Sequence, residues 1–425
     1  MLDIKFIKEN EKIVKDSIKK RFLKDKLNLV DEAIESYNKW VKLKQESDAL
    51  RSQRNKVSEE INKLQKAKKD ISEKVKEIKQ IPIKIKELED KQISVYENYQ
   101  TALKQIPNLL HESVPIGEDE SKNKVIRTFG TKTKFKFPAK SHTDLLKDLD
   151  LADLERAAKV SGARFYYLKN ELVELDLAVT KFALDLLKKK KFTLFRTPDM
   201  AREEAVRGAA ELGDFQETLY GIKDEDLYLI ATAEHTLASF HMNEMLNKED
   251  LPLKYAGISA CYRREAGAHG QDQKGIFRVH EFRKVEQFVY SHPKQSWKIH
   301  EELIKNSEEI FKKLKLPYRV ISIASGALNA TAAKKYDLEV WMPAQNTYRE
   351  LVSCSNCLDF QSRKLGIRFK DGNETIHPHL LNATAVATPR ILVAILENCQ
   401  QKDGSIKIPS ALHKYLDFKK ITAKK

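Results

Sequence analysis

The chain has 425 residues, room for two or three domains, and its formal charge of +15 favours a polyanionic partner. No run approaches the roughly 18 apolar residues that a bilayer span needs, and the charged opening MLDIKFIKEN lacks the apolar stretch of a secretory signal. Four cysteines (Cys261, Cys354, Cys357, Cys399) are too few for a disulfide framework at this length and fit a reducing cytosol, so a cytoplasmic location is expected.

Residues 1–25 are polar with a helical pattern. Apolar positions then repeat by sevens. Leu43, Leu50, Val57 and Leu64 form one row; Trp40, Ser47, Arg54 and Ile61 form the other. After a polar break at Lys66–Asp70 the count resumes at Ile71, Ile78 and Ile85, joined by Val75, Leu88, Tyr96, Tyr99 and Leu103. Two long helices with a short polar turn predict an antiparallel coiled-coil arm over 28–105. Pro82 lacks a backbone donor, so the second helix is expected to kink there or to start late at that residue. Over residues 1–112, 26 Lys plus Arg stand against 20 Asp plus Glu. Such faces either keep a coil soluble or grip a polyanion. Pro107, Pro115 and Gly117, followed by GEDESKNK, read as a linker, which divides the chain into 1–112 and 113–425.

Beyond Phe135 helices and short strands mix without a regular βαβ period, which predicts an α+β fold on an antiparallel sheet. Residues 171–190 form an amphipathic helix with Leu175, Val179, Phe182 and Leu186 on one stripe. It leads into the strand-like FTLFRTPDM, stopped at Pro198. LYLIATAEHTLASFHMNEML reads as a short strand, a polar corner at Thr232, Ala233 and Glu234, and a helix. No phosphate-binding glycine loop is present, so bound phosphates must be held by side chains.

Residues 257–290 read as a hairpin, with strands near Ile258–Glu265 and Ile276–Tyr290 around a loop from Gly267 to Gly275. Alternation puts Arg263 and Glu265 on one face of the first strand, and Arg278, His280, Phe282, Lys284, Glu286 and Phe288 on one face of the second. Two readings fit such a face: a solvated edge laced with salt bridges, or a site that grips phosphate, stacks a flat base and holds an ammonium. Further on, Glu350 lies in a strand-like segment, followed by Ser353. In LLNATAVATPRILVAILEN a small-residue turn is expected before a long apolar helix, with Arg390 directly after Pro389 at its start. Cys354-x-x-Cys357 has no second pair at zinc-site spacing and reads as structural thiols.

Tyr262-Arg263-Arg264-Glu265, continuing through RVHEFRKVEQF, resembles the class II aminoacyl-tRNA synthetases, and the seryl-tRNA synthetase family in particular. LRSQRNKVSEEI in the arm, GARFYYL, TAEHT, SCSNCLDFQSR and LLNATAVATPR follow in family order, so the likeness covers nearly the whole chain. The resemblance implies activation of L-serine with ATP and transfer to the 3′-terminal adenosine of tRNA(Ser), and leaves open whether selenocysteine tRNA is also charged. It also implies a homodimer joined through the helix ending near Lys190 and the strand ending at Pro198, and a tRNA-binding role for the arm. By position, Arg263, Arg278, Glu350 and Arg390 take the catalytic places. Arg264, Glu265, Phe282, Leu351, Val352 and Ser353 join Arg263, Glu350 and Arg390 around ATP, with Phe282 under the adenine. Glu350 and Ser353 are implied to bind Mg²⁺. Thr232, Ala233, Glu234, Glu286, Asn382 and Thr384 are implied to surround serine, with Glu234 near its ammonium. Two departures stand out: Leu351-Val352 where many relatives carry a small hydroxyl residue, and Thr384 where common bacterial forms have serine. A non-catalytic RNA-binding relative, the rival reading, would lack one of Arg263, Glu286, Glu350 or Arg390; all four are present.

Overall fold

The computed structural model describes residues 1–210, 218–265 and 274–423, in two compact units, Met1–Pro107 and Asn108–Lys425. Most of the Gly267–Gly275 loop and the last two lysines of the tail lie outside the described residues.

The first unit begins with two short helices, α1 (Ile4–Glu9) and α2 (Glu11–Lys20), and continues as a helical pair, α3 (Asn28–Lys66) and α4 (Ser72–Gln105). At 39 and 34 residues these helices run about 58 and 51 Å at 1.5 Å per residue. The heptad rows meet as expected: Val57, Ile81 and Ile85 are buried together, flanked by Leu50, Ile61 and Ile78. Lower in the seam Tyr37, Trp40, Tyr96 and Tyr99 pack with ring centres 5.4 to 6.0 Å apart. The second helix does not start late at Pro82; it begins ten residues earlier and runs through. Pro82 lies on the exposed side of α4, so the ring faces solvent, where water can bond the Ile78 carbonyl that loses its partner.

The second unit is built on a sheet that has eight strands among the described residues: β1 (Lys124–Phe129), β2 (Thr193–Arg196), β3 (Leu253–Tyr262), β4 (Glu281–Ser291), β5 (Tyr318–Ser322), β6 (Lys334–Met342), β7 (Thr347–Asn356) and β8 (His379–Ala387). Their spatial order is β1-β5-β6-β7-β8-β4-β3-β2. Neighbours are antiparallel except at one edge, where β2 runs parallel to β3. Helices α5 (Glu171–Lys189), α6 (Ala233–Ser239), α7 (Ser296–Lys313) and α8 (Thr388–Cys399) flank the sheet.

Alternation along β4 sorts the layers. Val285 and Val289 enter a core shared with Leu175 and Val179 of α5, Leu303 and Phe311 of α7, and Leu392 and Leu396 of α8. Phe288 and Tyr290 point the other way, against Ala233 and Leu237 of α6. The small-residue stretch before α8 is not a turn but the central strand β8, buried throughout residues 380–387. Alanines and threonines suit that position because helices and the site press on both faces of the strand. The C-terminal segment is tied down: Ile406–Lys407 pairs with Lys420–Ile421. Asn108 is held by Ala330, Thr331 and Cys357, and Gly117 by Gly326 and Ser325, so the Pro-rich segment is anchored to the second unit.

Candidate active site

The hairpin strands differ from the sequence reading. The first is Leu253–Tyr262, and the second begins at Glu281, not Ile276. Arg263, Glu265, Arg278 and His280 therefore sit in the mouth between the strands. There Arg263 N–H donates to the His280 carbonyl at 2.9 Å, while His280 N–H turns away to the Arg164 carbonyl at 3.1 Å. Glu265 takes a left-handed φ of 50°, which swings it out of strand alternation. Its carboxylate stands 3.5 Å from Arg278.

Above this mouth lies a cavity of about 440 Å³. Arg263, Glu265, Arg278 and Phe282 line it, together with Glu350, Leu351, Ser353 and Arg390. Thr232, Glu234, Glu286, Asn382 and Thr384 complete the wall, so both predicted groups converge. Arg264, Ala233 and Val352 do not line it. Arg264 reaches over the Tyr220 ring at 5.5 Å, and Ala233 and Val352 are core residues.

Each wall has a local cause. Arg263 lies over the Phe282 ring at 5.2 Å, with its Nε donating to the Ala231 carbonyl at 3.3 Å, which leaves the rest of the guanidinium for the cavity. Thr232 caps α6 by accepting from Glu234 N–H at 3.1 Å, and Glu234 accepts from Gln361 Nε2 at 2.8 Å. On the far wall, Glu350 and Ser353 are three residues apart, and plain alternation would put them on opposite faces. A β-bulge resolves this. Ser353 pairs with Asp337 and Val352 with Leu338, but Glu350 pairs with Glu339, so Leu351 is the extra residue and both side chains reach the cavity. A second bulge follows Thr384, which sits directly opposite Glu286 and donates to it at 3.4 Å.

The charges are arranged around two carboxylates. Burial works against ionising Glu350, but Arg390, Lys335, Arg263 and Lys284 outweigh it and hold its carboxyl below the usual range. The side chain is two-fifths exposed, and that exposure opens into the cavity. Arg390 Nη1 donates to the Glu350 carbonyl at 3.0 Å and stands 3.6 Å from its carboxylate. Burial pushes the Glu286 carboxyl up, against the pull of Lys284, whose ammonium is 2.7 Å away. Burial, then Lys284 and Arg263, push His235 down to about 3, so it lines the cavity as a neutral imidazole.

Comparison with known proteins gives the same picture along the whole chain. Residues 1–110 match the model of the seryl-tRNA synthetase N-terminal domain, and residues 219–399 that of the class II tRNA synthetase core domain (G, H, P, S and T). The serine–tRNA ligase of Nitrosopumilus maritimus is 46% identical over 422 residues, covering 99% of this chain and 100% of that one. This chain belongs to the seryl-tRNA synthetase family. The crystal structure of seryl-tRNA synthetase from Pyrococcus horikoshii complexed with ATP superposes with a TM-score of 0.95 at 46% identity, covering 100% of both chains. The cytoplasmic serine–tRNA ligase of Naegleria fowleri in complex with AMP gives 0.89 at 37% identity, over 100% of this chain and 99% of that one. A prolyl-tRNA synthetase from Giardia lamblia, 16% identical with a TM-score of 0.56, shares the fold alone.

Within this family member several cavity residues had no assigned role in the sequence reading. Lys284 was visible on the right face of the hairpin, but nothing local distinguished it from a solvated lysine. Lys335 comes from β6; its Nζ lies 3.4 Å from the carboxylate of Asp337, which does not line the cavity but bonds the Ser353 hydroxyl that does. Phe277 is covered by Arg349 at 4.5 Å and Arg390 at 5.2 Å. Lys284 lies on β4, Lys335 on β6, and Phe277 in the segment between β3 and β4, so no sequence spacing could have announced them together.

Proposed function

We propose that the cavity activates L-serine with ATP and passes it to the 3′-terminal adenosine of tRNA(Ser). The observation that carries this is the convergence of Arg263, Glu265, Phe282, Glu350 and Arg390 with Thr232, Glu234, Glu286 and Thr384 on one cavity. Nucleotide contacts occupy one end and hydroxyl and ammonium contacts the other.

In this reading the adenine stacks on Phe282, with Glu265 at its edge. Arg263 holds the α-phosphate and Arg390 the γ-phosphate. Arg278 faces the region where carboxylate and phosphate meet. Glu234 receives the serine ammonium, and Glu286 with Thr384 receives its hydroxyl, with Asn382 alongside. A serine carboxylate oxygen attacks the α-phosphorus in line, the bond to the bridging oxygen breaks, and pyrophosphate leaves. The chain supplies positioning and fixed positive charge where negative charge gathers, and needs no nucleophile of its own. A ribose hydroxyl of the tRNA then attacks the seryl carbonyl and AMP departs.

Mg²⁺ fits the oxygens present. Among the described residues no group of three or more His, Cys, Asp or Glu could hold a metal, but Glu350 and Ser353 offer two hard oxygens on the phosphate side. An ion that keeps several waters and shares substrate phosphates matches so sparse a set. Bound there, it would neutralise phosphate charge.

The long basic α3–α4 pair is assigned to tRNA, gripping phosphates and shape more than base sequence. A homodimer is assigned through α5 and β2. Support comes from β2, which ends the sheet among the described residues, and from Leu194, Val173 and Leu177, each at least 40% exposed. Among the described residues no helix is long and apolar enough to cross a membrane, and the four thiols are free, in keeping with a cytoplasmic assignment. ATP–pyrophosphate exchange across an amino-acid panel tests the reading. Serine-dependent exchange is expected; exchange that follows threonine or proline instead would overturn it.

A further inference from the structure

Phe282, Lys284 and Glu286 alternate onto one side of β4, and all three line the cavity. Same-side neighbours are about 7 Å apart along a strand, so Lys284 stands midway between the adenine platform and the carboxylate assigned to the serine hydroxyl. Its ammonium is 2.7 Å from Glu286 Oε2, with only 8% and 2% of the two side chains exposed. The Thr384 hydroxyl donates to the same oxygen at 3.4 Å. Among the described residues, the Arg263 guanidinium also acts on this carboxylate through space, and the buried thiols of Cys261 and Cys354, neither of them charged at neutral pH, interact with it. Neutral His235 faces Lys284, which also acts on Glu350. Lys284 is therefore a cation in direct contact with a buried carboxylate, opposing the upward push that burial exerts on it.

We infer that Lys284 is a positioning residue for substrate selection, holding Glu286 ionised and aimed so that the cavity takes an amino acid with a hydroxyl donor and rejects alanine. This rests on the serine-activating reading above. The chemistry is that an ionised carboxylate only accepts hydrogen bonds. Set against a methyl group it stays buried and unpaired, a heavier penalty than a neutral carboxyl suffers. Sites that must bond a substrate hydroxyl reject the analogue without it by about 10⁴-fold or more. Without Lys284 the pull that opposes burial is lost, and the carboxyl shifts further toward its protonated form. Discrimination would then fall further than turnover.

The test is ATP–pyrophosphate exchange with serine and with alanine, from pH 6 to 9, on the full chain and on K284M, K284R, E286Q and the K284M/E286Q double variant. For K284M the serine KM is expected to rise about 10- to 100-fold at pH 7, the worth of a charge-assisted contact, with a smaller change in kcat. That KM falls back as pH rises and Glu286 loses its proton, and the serine-over-alanine preference drops by a similar factor. K284R keeps the charge and stays within a few-fold of the parent with a flat pH profile. K284M adds nothing in the E286Q background. Recovery at high pH also separates the effect from misfolding, which alkali would not repair. The inference is overturned if K284M acts on kcat alone, if its KM is independent of pH, or if its cost is undiminished in E286Q, because Lys284 would then touch the substrate itself. A parent enzyme without serine-dependent exchange would refute the proposed function, a result distinct from any of these.

Discussion

Replacing Arg390 with alanine removes the group that ties the two halves of the nucleotide wall together. Its Nη1 bonds the Glu350 carbonyl at 3.0 Å, the guanidinium stands 3.6 Å from the Glu350 carboxylate, and its plane covers Phe277 at 5.2 Å. The contact over the ring is worth about 0.5–1 kcal/mol. Losing a donor aimed at developing charge costs about 2.7–4 kcal/mol, or 10²–10³ in kcat. Arg390→Ala is therefore expected to lower the exchange kcat by about 10²–10³-fold with serine saturating. Lysine at this position restores the charge but not the planar fork, and regains roughly one decade at most. Folding should suffer little, because the side chain borders an open cavity, and a thermal melt run in parallel checks that. Exchange within threefold of the parent, from a protein that melts normally, would refute the placement of Arg390 on the phosphates.

Other perturbations read other parts of the account. Deleting residues 35–100 and joining the ends with a short flexible turn should spare serine-dependent exchange and abolish charging of tRNA(Ser); charging that survives would remove the arm from tRNA recognition. Thr384→Val deletes the hydroxyl opposite Glu286, so the serine KM should rise about tenfold or more while the ATP KM stays put; an unchanged serine KM would exclude Thr384 from the pocket. Burial pushes His300 down to about 4, and it bonds the Cys354 carbonyl at 3.1 Å through Nε2 while stacked on Tyr336. Its ordinary pKa is higher, so between about pH 6.5 and 4 the unfolded chain binds a proton that the folded one does not. Stability is expected to fall as pH drops through that window, by up to about 3 kcal/mol from this residue. His300→Asn should flatten the slope of urea midpoints between pH 7 and 5, and an unaltered slope would rule His300 out as its source.

What could be read without coordinates followed from periodicity. The arm was legible because its seam repeats by sevens, and Pro82 misled only because its exposed side of α4 tolerates the missing donor. Strand β8 was not legible. Its alanines and Asn382 carry little strand propensity of their own, and burial between β7 and β4 imposes the extended form. The cavity was half legible. Phe282 and Glu286 share a strand face by simple alternation, whereas Glu350 and Ser353 share one only because Leu351 is bulged out, which no pattern of twos can announce. Resemblance supplied that pair where periodicity could not. Arg264 and Val352 show the reverse, being adjacent to site residues in the chain and turned away in space. Lys335 and Asp337 depend on cross-strand register, which is settled by the assembled sheet and not by their neighbours in sequence.

A crystal structure with a non-hydrolysable seryl-adenylate analogue tests the central claim most directly. The account predicts one molecule in the cavity, with its adenine on Phe282, its phosphate mimic at Arg263 and its hydroxyl shared by Glu286 and Thr384. An analogue bound elsewhere, or bound here with its hydroxyl turned away from Glu286, would contradict it.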